Sequence, residues 1–158
     1  MKWLKDERFK DNCDIHKPET LFTYKLHSVK ELFSSTSSCL KSDPFYAIGI
    51  PWCMHVQIIE KKPNKKMLSF YLRPLNTFDS YINWNCKAYY ELRILSGSPY
   101  VQNKVKQCLK TFTNYNYLDF CLSEELNNLG NFVRNDAIYL QCYLKAERIS
   151  RSSFQDLS

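Results

Sequence analysis

The chain has 158 residues, 44% apolar, 15% aromatic and 24% charged, a balance that excludes a disordered, collagen-like or coiled-coil chain and fits one globular domain. Its three glycines, Gly49, Gly97 and Gly130, leave little material for a glycine-rich phosphate loop or a strained nucleophile elbow. Lys and Arg outnumber Asp and Glu 22 to 16; the resulting +6 suits solubility and mild attraction to acidic partners but is small for a nucleic-acid binder.

Residues 1–19 read as a polar arm stopped by Pro18. They carry charges through the first eleven positions, and no run of about 18 apolar residues follows. The reading therefore has no membrane span and no secretory segment, and it places the protein in the cytoplasm with the nucleus also open. From Leu21 the hydrophobic period is two. Phe22, Tyr24 and Leu26 alternate with polar neighbours, as do Trp52, Met54, Val56 and Ile58, and then Leu68, Phe70 and Leu72. Trp84, Cys86, Ala88, Tyr90, Leu92 and Ile94 share one face of a further strand, and Ile138, Leu140, Cys142 and Leu144 share another. Pro44–Ile50 adds a sixth strand, and Ser-, Pro- and Lys-rich separators mark the turns. The pattern predicts an all-β, antiparallel sandwich. Two segments carry helical signals. Val101, Val105, Cys108, Leu109 and Phe112 follow helical spacing behind Ser98 and Pro99, and Cys121–Leu126 offers a Ser123 cap with Glu124 and Glu125 in a first turn.

Seven single cysteines with no C-x-x-C pair and no N-x-S/T sequon favour reduced thiols. Cys13 and His16 have half a zinc site's spacing, but a structural site needs four ligands and no second pair follows, so a solvated arm is the plainer reading and no metal is expected. Cys53 and His55 lie two apart on one strand face; they are either a thiolate–imidazole couple for nucleophilic catalysis or an outward face with a partly buried thiol. Lys61, Lys62, Lys65 and Lys66 are a surface for RNA or acidic lipid, or a solvated hairpin tip; they lack interleaved aromatics for base stacking. Tyr71 falls on the polar parity of its strand, between Ser69 and Arg73, so its ring faces outward, either as a scattered surface tyrosine or as an anchor for an extended peptide.

The motif order over residues 20–147 resembles the MATH (meprin and TRAF homology) domain. The residues that carry it are Phe22–Phe33, Ser42-Asp-Pro-Phe-Tyr46, Ile50–Ile58, Met67-Leu-Ser-Phe-Tyr-Leu72, Trp84–Leu95 and above all Asn131–Tyr143, similar to the ending "Y-V-R/K-D-D-x-I-x-I". The resemblance implies a sandwich of seven to eight strands with short helical segments, and makes Val101–Phe112 strand and loop. It places the arm at 1–19, the domain at 20–147 and a flexible tail at 148–158. It implies a non-catalytic adaptor without cofactors that binds a short linear peptide of another protein, such as a ubiquitin-ligase, deubiquitinase or receptor component, in ubiquitin-pathway or receptor signalling. Tyr71 and Tyr90 match groove aromatics by position. Asn114, Tyr115, Asn116 and Tyr117 stand where the family has "D-W-G-F", followed by Phe120, so the acid, the tryptophan and the glycine are all replaced. An arm this short has no room for sustained heptads, so a trimer is not expected, and nucleic acid is not the expected partner.

Overall fold

The computed structural model describes residues 16–35, 37–62, 65–75, 83–113, 121–147 and 150–152. In chain order they form β1 (Glu19–Leu26), α1 (Val29–Ser34), β2 (Ser37–Lys41), β3 (Phe45–Ala47), β4 (Ile50–Lys62), β5 (Lys65–Pro74), β6 (Asn83–Leu95), β7 (Lys104–Thr113), β8 (Cys121–Glu125), a 3-10 helix (Leu126–Phe132), β9 (Ile138–Ala146) and β10 (Ser150–Ser152). Eight strands have five residues or more, and β3 and β10 have three each.

Two antiparallel five-stranded sheets face each other. The first runs β1-β9-β6, with β7 and β10 both paired to β6; the second runs β2-β4-β5-β8, with β3 beside β2 on β4. Period-two alternation sends one side chain in two inward, and the inward sets of β4, β5, β6 and β9 make the core. Trp52, Met54, Leu68, Phe70, Leu72, Leu92, Ile94, Leu140 and Leu144 are buried there. Trp52 meets Phe112 edge to face at 5.2 Å, and Phe22 of β1 stacks on Phe45 of β3 at 4.5 Å, closing one side between the sheets. The side chain of Trp84 lies outside the described residues.

Left-handed turns set the connections. Ile48 (φ 50) and Gly49 (φ 74) make the two-residue turn of the β3–β4 hairpin, the backbone signature of a type I′ turn. Asn135 (φ 52) and Asp136 (φ 59) make a similar turn inside the Arg134–Ala137 bridge. That second turn also caps α1, because Asp136 accepts from the amides of Val29 and Lys30 where the local Ser28 side chain makes no cap.

Two helical readings of local spacing give way to strand, the first as the family resemblance implied. The helical spacing of residues 98–112 is overridden: Ser98–Tyr100 turn, and β7 then pairs with β6 over ten residues. Cys108 and Phe112 point inward with Lys110, whose ammonium lies 4.9 Å over the Phe112 ring, while Val105 and Leu109 are left exposed. Cys121–Leu126 is strand followed by 3-10 helix, because Leu122 is buried and Ser123 pairs with Ser69 across the ladder, where a six-residue helix would gain few bonds. Of the expected tail, residues 150–152 pair with β6. At the other end, the carbonyls of Lys17 and Pro18 accept from the amides of Ile48 and Ala146.

Candidate functional site

The outward parity of the second sheet assembles side chains that are distant in sequence. Register places Lys41, His55, Tyr71 and Cys121 in one row across β2, β4, β5 and β8, and Cys39, Gln57, Ser69 and Ser123 in the next. Cys53 pairs with Arg73 in a third row. Four strands at about 4.8 Å spacing make each full row roughly 14 Å wide, the reach of a short extended segment.

The centre of this face is packed. His55 and Tyr71 stack with centroids 5.2 Å apart and planes 13° from parallel, and the Arg73 guanidinium sits 5.1 Å over the Tyr71 ring. Cys53 Sγ lies 3.2 Å from His55 Nε2. Ser69 and Ser123 share a 2.7 Å hydroxyl contact, and Cys121 Sγ approaches Ser123 Oγ at 3.4 Å. Cys53 is 1% exposed and His55 8%, so these outward positions are shielded, while Tyr71 is half-buried.

Charge on this face is basic, from Lys41 and Arg73. Both pull the Cys53 thiol pKa down, yet burial outweighs them and pushes it up. The sequence spacing therefore does bring thiol and imidazole together, but the pair lacks the depressed thiol pKa that marks an activated nucleophile.

Tyr90 does not belong to this face. It lies on β6 of the other sheet, fully buried, on the same inward parity as Ala88 and Leu92, with its side chain bonded toward Cys108. Its placement among groove residues is corrected to the core. Asn114, Tyr115, Asn116, Tyr117 and Phe120 lie outside the described residues; they precede Cys121, the β8 residue opposite Tyr71. Lys41, Ser69 and Arg73 were not singled out from sequence, and Ser123 only as a helix cap. Only the Ser69–Tyr71–Arg73 alternation hinted at them, because their association is made by register.

The other candidates are dispersed. Among the lysines of the β4–β5 hairpin, Lys65 pairs with Glu125 at 2.9 Å and Lys66 donates to the Phe33 carbonyl at 3.0 Å, leaving Lys61 and Lys62 as exposed ends. Cys13 lies outside the described residues, and His16 packs beside Gly49. Among the described residues no group of three or more His, Cys, Asp or Glu could hold a metal ion, and six cysteines are free thiols. Among the described residues no helix is long and apolar enough to cross a membrane.

The chain belongs to the MATH domain family: the family's model matches residues 21–144. MATH domains are generally protein-interaction modules, and that coarse role is this chain's. No curated protein matches the sequence. Among solved structures, the trimeric lipoprotein SadB of Salmonella enterica is similar at 11% identity and a TM-score of 0.35, covering 96% of this chain and 74% of the other.

Proposed function

We propose that this chain is a non-catalytic adaptor that holds a short extended peptide of a partner protein against the outer face of its second sheet, with Tyr71 as the aromatic anchor. One observation carries the reading: Tyr71 is fixed from two sides by His55 and Arg73 but remains half-buried in a row four strands wide. A ring held in one rotamer loses little entropy when a ligand packs on it, which suits it to anchor binding. Asn114, Tyr115 and Tyr117 complete the proposed contact set. The proposed partners are ubiquitin-ligase, deubiquitinase or receptor components of the cytoplasm or nucleus, the settings in which the family's modules work.

Peptide-display selection with the full chain, repeated for Tyr71→Ala and Tyr115→Ala at two salt concentrations, tests this. One short motif lost in both variants and tolerant of salt is the expected result. Binding that follows salt alone and ignores both tyrosines would overturn it in favour of the lysine hairpin, which has two of its four ammonium groups already engaged.

A further inference from the structure

The first sheet carries a second polar site that the peptide face does not use. An open cavity of about 570 Å³ lies at the turn between β6 and β7, lined by Leu95, Gly97, Ser98, Gln102, Asn103 and the Arg134 guanidinium. The wall is rich in donors. Asn103 Oδ1 accepts from the Ser96 amide at 2.9 Å, which fixes the amide's orientation and turns its NH2 group away from that bond. Ser98 Oγ accepts from the Tyr100 amide at 3.2 Å and keeps its own proton to donate. No acidic side chain lines the cavity. The nearest one in sequence, Asp136, is turned to the Lys30 amide at 2.8 Å.

Arg134 is held as a flat fork. Its guanidinium packs against Gly97, where φ is +67 and an added Cβ would overlap it, and lies 4.8 Å over the Tyr139 ring. The same ring carries Lys25 at 5.7 Å. The described ion pairs include no carboxylate on either cation. A guanidinium held near an aromatic ring and against a glycine has less freedom to lose on binding, and its edge N–H groups are the natural partners of an oxyanion.

We propose that this cavity is an oxyanion site for a phosphate group on a partner protein, with Arg134 as the fork and Ser98, Gln102 and Asn103 as further donors. Phosphate fits better than carboxylate because its three terminal oxygens match donors contributed by four side chains, where a carboxylate's two oxygens would be filled by Arg134 alone. The site lies on a different sheet from Tyr71 and does not rest on the peptide-groove reading.

The test is a titration of the full chain with inorganic phosphate and, separately, with acetate, followed by two-dimensional NMR of backbone amide and arginine resonances. Saturable shifts at Ser98, Asn103 and Arg134 with a midpoint on the order of millimolar are expected. Arg134→Gln should weaken them at least about tenfold, and Arg134→Lys should weaken them too, because it keeps the charge and loses the fork. Gly97→Ala, which displaces the guanidinium at constant charge, should act like Arg134→Gln, and Tyr71→Ala should change nothing. Acetate saturating the same resonances as tightly would keep the oxyanion site and make a carboxylate its source. Phosphate response unchanged in both Arg134→Gln and Gly97→Ala, or shifts centred on Lys61 and Lys62, would overturn the proposal.

Discussion

Raising pH should unfold this domain through its buried thiols. Cys86 is buried, its Sγ donates to the Glu147 carbonyl at 3.4 Å, and burial followed by the Glu147 charge pushes its pKa up from 9.0 to about 11. Burial likewise raises Cys142, Cys108 and Cys53. Below pH 9 the thiol is protonated in both states and contributes no slope. Between pH 9 and about 11 the unfolded chain has released the proton while the native chain keeps it, so the native state binds more protons and stability falls as pH rises. Two pH units on Cys86 are worth about 3 kcal/mol, a large share of a typical domain stability of roughly 5–15 kcal/mol. Urea titration under reductant, read by tryptophan fluorescence at pH 7, 9, 10 and 11, measures the decline. Tyr24, Tyr89 and Tyr143 are raised as well and push the same way, so the diagnostic quantity is the slope in Cys86→Ala. That variant starts lower by about 1 kcal/mol for the lost packing and should decline more shallowly above pH 9. A slope in Cys86→Ala equal to the parent's, or stability that stays flat to pH 11, refutes the reasoning.

Tyr71→Ala removes the contacts to His55 and Arg73 and should cost about 1 kcal/mol of stability but at least tenfold in peptide affinity, separable by thermal melting and by binding of a selected peptide. Exposed Cys39 should react with a thiol reagent at neutral pH well before Cys53, as followed by mass spectrometry; fast labelling of Cys53 would revive the thiolate–imidazole couple. Gly49→Ala should destabilise by about 1–2 kcal/mol in urea titration, because φ is +74 and the new Cβ would press on the His16 ring at 3.1 Å.

The sandwich was legible where one strand face is buried and the other is not. In β1, β5, β6 and β9 each buried apolar residue has a polar or partly exposed neighbour, and the alternation survives in the sequence. It failed where pairing overruled local pattern. β7 reads as helix because Val105 and Leu109 are apolar yet outward, and inward Lys110 breaks the period. Of the proposed site, only Tyr71 was legible. His55 and Cys53 shared a parity with polar residues, but their burial depends on what register sets beside them. Tyr90 carried its correction within the sequence, since it shares a face with Cys86, Ala88 and Leu92, and that face is the core.

The two proposed sites also constrain how a partner engages. Tyr71 projects from the second sheet, whereas Tyr139 and its stacked cations lie on the first, and the sheets are separated by a core about 10 Å thick. A short extended peptide lying along the Tyr71 row spans roughly 14 Å and cannot also turn round a sheet edge to reach Arg134. A single partner would need the groove motif and the phosphate on segments joined by a linker long enough to pass the edge, and the second contact would then gain from effective concentration. Otherwise the two faces take two different proteins. Affinity for a doubly recognised partner should therefore depend on the spacing between its motif and its phosphate, while affinity for the isolated motif should be indifferent to Arg134.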